Sequence, residues 1–242
     1  GMNVVLADID EVELDAAITE ISQVGPTAGL PVDVTAASEV EDLLAFTIDR
    51  FDRAHLVCNN AGVAGPPGLA PHELAIQDWQ WVLDVDLWGV IHGIRTFVPH
   101  LLSYGDGHIV NTASAAGWLN GPNMAVYNVS KHSVVALSET LALDLQDIGA
   151  NVGVTCLCPA FFPTGISDSQ RNRPADKADT VALSETALKR AEMTKAAVAK
   201  GRIQASDVAE MTVKAVEANQ FYVFPHRKIK QLIALRAQRA ER

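Results

Sequence analysis

The chain has 242 residues, of which 48% are apolar and 20% charged, a balance typical of a folded soluble protein and not of a disordered one. Its formal net charge of −10 opposes the attraction that a nucleic acid or an anionic membrane surface requires, so we expect neither as a partner. No apolar run approaches the ~20 residues that span a bilayer, and no signal peptide opens the sequence, so we expect a cytoplasmic protein. The three cysteines lie in or beside apolar strand-like runs, so we expect core thiols and no metal site.

Strand-like and helix-like segments alternate along the chain. The predicted strands cover residues 3–7, 30–34, 55–59, 107–112, 152–157 and 221–224. The predicted helices cover residues 11–23, 38–51, 79–102, 124–148, 181–200 and 206–218, and a basic amphipathic helix follows over 226–242. Ser38 with Glu41 predicts a capping box, and Ser206-Asp207 predicts an N-cap. This alternation is typical of an α/β fold with a parallel sheet, here one domain over residues 1–242.

Residues 163–201 form a long polar insertion between a strand end and the next core helix. In an α/β domain an insertion of this length is usually a lid over the substrate, although a plain surface excursion also fits the sequence. We therefore expect a substrate lid.

Tyr127 and Lys131 lie four residues apart in the predicted helix 124–148, so both side chains project from one face about one turn apart. A tyrosine with a pKa of ~10 is a poor base at neutral pH, but an adjacent ammonium stabilises the phenolate. The pair predicts a proton-transfer site, although Tyr-x-x-x-Lys by itself also occurs in purely structural helices.

Two further motifs follow predicted strands. Ser114 follows strand 107–112, and an Asn-Asn-Ala-Gly motif at 59–62 ends strand 55–59, at carboxyl ends where open parallel sheets bind ligands. With Pro159 and the Tyr-Lys pair, these motifs have the order and spacing of the short-chain dehydrogenase/reductase family, which the chain resembles over nearly its whole length. The resemblance implies a Rossmann-type doubly wound parallel sheet and an NAD(P)-dependent hydride transfer between a secondary alcohol and its ketone.

The resemblance also assigns roles. Tyr127 is the expected catalytic acid/base, and Ser114 is expected to hydrogen-bond the same substrate oxygen. Lys131 is expected to lower the pKa of Tyr127 and to bind the nicotinamide ribose. The other expected cofactor contacts are Asp33 and Val34 at the adenine, Asn59, Ala61 and Gly62 along the cleft, and Pro159, Ala160 and Thr164 beside the nicotinamide.

Asp8 closes the first predicted strand, where this fold places the residue that binds the adenosine ribose. A carboxylate there accepts hydrogen bonds from both hydroxyls and repels a 2′-phosphate, so NAD is favoured over NADP. For Asp8 and Asp33 alike, a carboxylate that only stabilises a local turn is the alternative.

The sequence departs from the family pattern at three places. Asp86 stands where the family usually has Asn; we expect it in the proton relay, but with an added charge. Ala160 follows Pro159 where Gly is common. The family's first strand and its glycine-rich diphosphate-binding turn are absent from this sequence. Since that strand is central, we expect two strands without a partner between them, and a native gene product that extends upstream by a few dozen residues.

The substrate is expected to be a small alcohol or ketone. Trp118, Met124, Phe161 and Phe162 flank the predicted catalytic residues and indicate an apolar or cyclic substrate, although packing in the core or lid fits equally well. The resemblance implies a homodimer or homotetramer. Two alternatives stay open: an epimerase or dehydratase on the same scaffold, and a non-catalytic dinucleotide-sensing or scaffold protein.

Overall fold

In the computed structural model, which describes residues 1–177 and 183–240, six parallel strands alternate with helices. The strands are β1 (Val4–Asp8), β2 (Thr27–Pro31), β3 (Leu56–Asn59), β4 (Gly107–Thr112), β5 (Val152–Leu157) and β6 (Tyr222–Val223). The helices are α1 (Glu11–Ile21), α2 (Ala37–Phe51), α3 (Ile76–Leu83), α4 (Gly89–Tyr104), α5 (Ala125–Asp147), α6 (Glu185–Ala199), α7 (Ala205–Glu217) and α8 (Lys228–Ala240). The predicted α/β fold is confirmed, and every described ladder is parallel.

The four-stranded sheet β3-β4-β5-β6 is covered on both faces. On one face, Ile109 packs in a cluster with Leu101 of α4 and Leu145 of α5. On the other face, the neighbouring Val110 packs with Val208 of α7. Successive residues of a strand point to opposite faces, so the apolar run in β4 supplies both layers. This is the doubly wound arrangement.

The sheet is interrupted between β1 and β3. β1 pairs with β2 in a separate two-stranded sheet, and within the described ranges no ladder joins β1 to β3. Both strands line a cavity of about 1890 Å³, at the position expected for the family's first strand. Cys58 on β3 lines this cavity and is exposed, so its predicted core packing is wrong, whereas Cys156 and Cys158 are buried as predicted.

The second strand and the helix after it differ from their predicted bounds. β2 ends at Pro31, because the side chain of Asp33 accepts a hydrogen bond from the Thr35 amide (2.9 Å) and turns the chain. Glu39 completes the turn by accepting a hydrogen bond from the Asp33 amide (2.6 Å). Ser38 is therefore not the N-cap: the helix begins at Ala37 and has no side-chain cap.

The predicted helix over 79–102 is three segments in sequence. α3 is followed by a π-helical turn, Asp84–Trp88, and then by α4. Such turns are often found at functional sites. This one contains Asp86, whose fully buried carboxylate bonds to neighbouring elements.

The C-terminal helices begin slightly away from their predicted starts. The start predicted at 181 lies outside the described residues, and α6 is capped by Ser184, which accepts a hydrogen bond from the Ala187 amide. α7 begins at Ala205 because Asp207 caps the Gln204 amide (2.8 Å), one residue earlier than predicted. The basic helix is present as α8, with the predicted end at 242 beyond the described part. None of the described helices is long and apolar enough to cross a membrane.

Candidate active site

Ser114 sits at the carboxyl end of β4, where the strand turns into a short 3₁₀ helix (Ala115–Gly117). Its hydroxyl accepts a hydrogen bond from the Ala116 amide (3.1 Å) and donates one to the carbonyl of Pro159 (3.3 Å). The side chain is 8% exposed and lines the cavity. Two backbone partners from different parts of the chain thus hold the hydroxyl at the cavity wall.

Tyr127 and Lys131 lie in the first two turns of α5 and also line the cavity. The Lys131 ammonium nitrogen is 5.6 Å from the centroid of the Tyr127 ring, and it donates a hydrogen bond to the carbonyl of Thr112 at the end of β4 (3.3 Å). A polar contact joins Tyr127 to the side chain of Ser114. The structure therefore brings the predicted serine, tyrosine and lysine together.

Asp86 completes this cluster from the π-helical turn. Its Oδ1 accepts a hydrogen bond from the Val63 amide (2.7 Å), and its Oδ2 accepts one from the Ser130 hydroxyl (2.9 Å). The same Oδ2 is 3.4 Å from the Lys131 ammonium nitrogen, in an ion pair whose side chains are 0% and 3% exposed. Gly62 lies over this pair: a Cβ there would be 3.2 Å from the Lys131 nitrogen and 3.3 Å from Asp86 Oδ1, so a larger residue would require these side chains to shift by a few tenths of an ångström.

Burial and charge set the ionisation of the cluster. Burial raises the pKa of Tyr127; the Lys131 ammonium opposes this rise, the Asp86 carboxylate adds to it, and the contact with Ser114 lowers the pKa in part. Burial also disfavours the charge on Lys131, but Asp86 and Tyr127 more than offset this, so the pKa of Lys131 lies above its usual range. Burial also raises the pKa of Asp86, and the Lys131 ammonium, which lowers this pKa, offsets the rise only in part. The expected lowering by Lys131 is present, but the net shift of the Tyr127 pKa is upward.

The residues expected at the adenosine end line the same cavity. Asp8 is exposed at the end of β1, and its Oδ1 accepts a hydrogen bond from the Asp10 amide (2.9 Å). In the same way, Oδ1 of Asp33 accepts a hydrogen bond from the Thr35 amide. Val34 packs against Gly89, where α4 begins after the π-helical turn. At both aspartates the carboxylate accepts a hydrogen bond within a local turn, as the alternative interpretation expects. Both aspartates also line the cavity, as the cofactor interpretation expects.

The residues expected along the rest of the cleft also line the cavity. They are Asn59, Ala61, Gly62, Pro159, Ala160 and Thr164. The side-chain amide of Asn59 donates a hydrogen bond to the side-chain oxygen of Asn111 (2.8 Å), which links β3 to β4. Ala160 donates its amide hydrogen to Nδ1 of His226 (3.1 Å), a residue that the sequence did not single out.

Three of the four predicted substrate-pocket residues line the cavity: Met124, Phe161 and Phe162. Trp118 is not part of the described cavity lining and packs on Tyr222 and Phe224, with ring centroids 5.4 and 6.2 Å away, so for this residue the structure agrees with the alternative of packing and not with a place in the pocket.

An unpredicted buried ion pair fastens the segment 163–201 to α3. Arg173 and Asp78 are 2.6 Å apart, with side chains 4% and 2% exposed, and the guanidinium lies 5.1 Å from the centroid of the Trp81 ring. Nearby, Lys177 and Asp84 form a second ion pair at 2.6 Å. The first part of this segment is therefore anchored to α3 and to the π-helical turn that contains Asp86.

The structure thus has a doubly wound parallel sheet of Rossmann type, and a serine, a tyrosine and a lysine converge on one large cavity at its strand ends, where this fold binds nucleotides. The family model described as short chain dehydrogenase matches residues 1–175. The chain belongs to this family, and it is an NAD(P)-dependent oxidoreductase that acts on CH–OH groups.

Individual relatives agree with this assignment. The chain is 30% identical over 244 residues to the CLA biosynthesis dehydrogenase/reductase of Lactiplantibacillus plantarum, a match that covers 99% of this chain and 84% of that protein. It is 36% identical over 167 residues to the cyclohexanol dehydrogenase of Acinetobacter sp. (strain SE19), over 68% of this chain and 64% of that one. The crystal structure of a short chain dehydrogenase/reductase from Burkholderia phymatum in complex with NAD is 40% identical, with a TM-score of 0.96 over 100% of this chain and 86% of that chain.

Proposed function

We propose that this chain interconverts a secondary alcohol and its ketone with NAD, using Tyr127 as the acid/base. The observation that carries the proposal is the meeting of Ser114, Tyr127 and Lys131 at one wall of the cavity, with the serine and lysine side chains held by backbone carbonyls. A hydroxyl substrate placed at this wall would reach the serine and the phenol together.

In the oxidation direction, Ser114 turns its hydroxyl hydrogen from the Pro159 carbonyl to the substrate oxygen, and that oxygen gives its proton to the ionised oxygen of Tyr127. The bound nicotinamide supplies the hydride acceptor. Lys131 favours the ionised phenol by its charge, and Asp86 disfavours it. In the reduction direction Tyr127 returns the proton to the oxygen of the ketone, while Ser114 stabilises the negative charge that develops there.

The residues of the cavity fit a dinucleotide. The cavity runs from β1 to α6 and so offers an extended ligand a continuous path; its volume also includes the gap between β1 and β3. Gly62 allows backbone to approach the Lys131 ammonium closely. Asp8 and Asp10 place two carboxylates at the adenosine end, which favours ribose hydroxyls over a 2′-phosphate. The NAD held by the Burkholderia relative supports the same choice.

The substrate is proposed to be apolar or cyclic, and residues 163–201 are proposed to close over it. Met124 and Phe162 approach the cavity from the catalytic side, and Val198 approaches it from α6. The name of the cyclohexanol dehydrogenase relative supports this class. At the α6 rim, Lys195 is 2.7 Å from the Asp168 carboxylate, so an anionic substrate would have to compete with that carboxylate for the cation.

A homodimer or homotetramer is proposed from the exposed apolar side chains of α5 and the turn before α4. Trp88, Val129 and Leu143 are 47%, 45% and 64% exposed. Large apolar side chains that share a helical surface commonly mark a protein interface. Light scattering coupled to size-exclusion chromatography gives the assembly mass directly.

The experiment that tests the function is Tyr127→Phe, assayed by NADH absorbance with cyclohexanol and 3-hydroxybutyrate as apolar and anionic probes. We expect turnover of cyclohexanol to fall by at least about 10²-fold, as for loss of a general acid/base. NADH affinity, measured by fluorescence, should stay within a few-fold. Unchanged turnover would refute the acid/base assignment, and a preference for 3-hydroxybutyrate would refute the substrate class. Net NAD consumption separates a dehydrogenase from an epimerase that keeps its cofactor bound.

A further inference from the structure

His226 contacts the backbone that follows β5. β5 and β6 are neighbouring parallel strands, and where they end the Cys158 amide still donates a hydrogen bond to the carbonyl of Val223 (2.8 Å). Beyond that point the half-buried ring of His226 bridges the two stretches of chain. Its Nδ1 accepts a hydrogen bond from the Ala160 amide (3.1 Å), and its Nε2 is 3.1 Å from the carbonyl oxygen of Phe161. One imidazole therefore holds two consecutive residues of the loop after β5.

Both contacts fit a single form of the ring. The Ala160 amide can only donate, so Nδ1 carries no hydrogen, and the Phe161 carbonyl can only accept, so Nε2 carries one. This is the neutral Nε2–H tautomer, in which the ring is an acceptor and a donor at once. The backbone of His226 is held as well, because its carbonyl accepts a hydrogen bond from the Ile229 amide (3.0 Å) as α8 begins.

The peptide unit between Pro159 and Ala160 is held on both sides. Its carbonyl oxygen accepts hydrogen bonds from the Ala115 amide (2.7 Å) and from the Ser114 hydroxyl (3.3 Å). Its amide hydrogen points to the opposite side of the same plane and is bound by His226. Because a peptide unit is planar, a rotation that moves its amide away from His226 also moves its carbonyl away from Ser114.

We propose that His226 is a positioning residue for Ser114 and acts through the Pro159–Ala160 peptide. This rests on the proposed function, because it concerns the serine that the proposed reaction uses. Without the imidazole the Ala160 amide has lost its acceptor, so rotation of the peptide toward water becomes favourable. The carbonyl that orients Ser114 then moves, and the serine hydroxyl meets the substrate oxygen less often.

The test compares His226→Phe, which keeps a flat ring without hydrogen bonds, with His226→Gln, whose neutral amide offers an acceptor and a donor on one carbon as the imidazole does. With cyclohexanol and NAD, we expect kcat to fall about 10-fold in His226→Phe, because a reacting group is misplaced. The dissociation constant of ADP-ribose, which lacks the nicotinamide, should stay within about two-fold, because the change is confined to the catalytic end. His226→Gln should keep kcat within about three-fold of the wild type.

The matched control is His100→Phe. Nε2 of His100 also accepts a backbone amide hydrogen, from Ala54 (3.1 Å), but it does so before β3 begins, at the opposite edge of the sheet from Ser114. This variant should leave kcat within about two-fold, because the hydrogen bond that it removes stabilises the fold alone. If His226→Phe does not fold, His226→Asn takes its place, because its side chain is too short to reach both backbone groups.

A double-mutant cycle shows whether the effect runs through the serine. In a Ser114→Ala background, assayed at high enzyme concentration, His226→Phe should lower kcat by less than about two-fold, because the hydroxyl that His226 positions is gone. An imidazole that only stabilises the fold would lower kcat by the same factor in both backgrounds.

The outcomes separate the two proposals. If the wild-type protein reduces no NAD with cyclohexanol or 3-hydroxybutyrate, the proposed function fails and the role of His226 fails with it. If the wild-type protein is active but His226→Phe matches it, or His226→Gln loses as much as His226→Phe, only the role of His226 is overturned. Equal factors in both backgrounds, or an equal loss of ADP-ribose affinity, would overturn it as well. Circular dichroism and the melting temperature check that each variant is folded.

Discussion

The catalytic cluster and the segment 163–201 face the same cavity but are built differently. Ser114, Asp86 and Lys131 are 8%, 0% and 2% exposed, and each bonds to a backbone group of a different element. In the segment opposite, most of the described residues (163–177 and 183–201) are exposed, and its ion pair Lys195–Asp168 has side chains 64% and 58% exposed.

The difference suits two separate tasks: the buried cluster is proposed to carry the chemistry, and the exposed segment is proposed to control access to it. For the proposed proton transfer, the reacting groups must be held within a few tenths of an ångström, and the sheet ends and α5 provide this rigidity. As the proposed lid, residues 163–201 must be able to move, and exposed ion pairs, which contribute little to stability, suit that role. Arg173–Asp78 is the exception, since it is as buried as the catalytic cluster.

The largest expected effect comes from breaking that buried pair. Arg173→Met leaves the carboxylate of Asp78 in a site that is 2% exposed, so the free energy of unfolding should fall by about 3 kcal/mol. Urea unfolding followed by circular dichroism measures the loss, and limited proteolysis shows whether the segment 163–201 opens first.

The matched control is Lys189→Met, which breaks the exposed pair with Glu185 in the same segment. It should change the free energy of unfolding by less than about 0.5 kcal/mol. Adding Asp78→Asn to Arg173→Met should recover part of the loss, because no uncompensated carboxylate then remains. Equal effects of Arg173→Met and Lys189→Met would show that the buried pair does not anchor the segment.

A smaller effect is expected from removing the extra charge in the catalytic cluster. The Asp86 carboxylate raises the pKa of Tyr127 and that of Lys131. Oxidation needs the ionised phenol, so its rate rises with pH through the pKa of Tyr127. Asp86→Asn should move that limb of the kcat/KM profile to lower pH by about one unit, or about 1.4 kcal/mol.

The amide oxygen introduced by Asp86→Asn can still accept the hydrogen bond from the Val63 amide, so the π-helical turn is expected to persist. The control is Asp144→Asn, which removes the same charge from the exposed end of α5 and should leave the profile in place. A profile of Asp86→Asn that coincides with that of the wild type would mean that Asp86 acts only on packing. A shift to higher pH would contradict the electrostatic argument altogether.

The part of the site that could be predicted from the sequence depends on local spacing. Tyr127 and Lys131 share a helix face because they are four residues apart, and Ser114 lies at a strand end that the apolar run of β4 makes visible. Small residues after β3 mark the cleft for the same reason. These patterns are set within one element, so no knowledge of the packing is needed.

The part that could not be predicted depends on residues far apart in sequence. Arg173 and Asp78 are separated by 95 positions, and no periodicity links them. Asp86 was visible only as a departure from the family pattern, and its contacts with Val63 and Ser130 come from two other parts of the chain. The early end of β2 arose from the turn in which Asp33 accepts the Thr35 amide hydrogen and Glu39 accepts the Asp33 amide hydrogen, a competition that propensities do not contain.

The smallest expected effect is on the choice between NAD and NADP. Asp8 is exposed, so solvent screens its charge, and Asp8→Asn should lower the ratio of kcat/KM for NAD to that for NADP by only about five-fold. Asp33→Asn is the control, because Asp33 is expected at the adenine ring and not at the ribose; its ratio should stay within two-fold. Parallel assays of both cofactors at low ionic strength give the ratios. If both variants changed the ratio equally, the preference for NAD would come from the general negative charge of the cleft and not from a carboxylate beside the ribose.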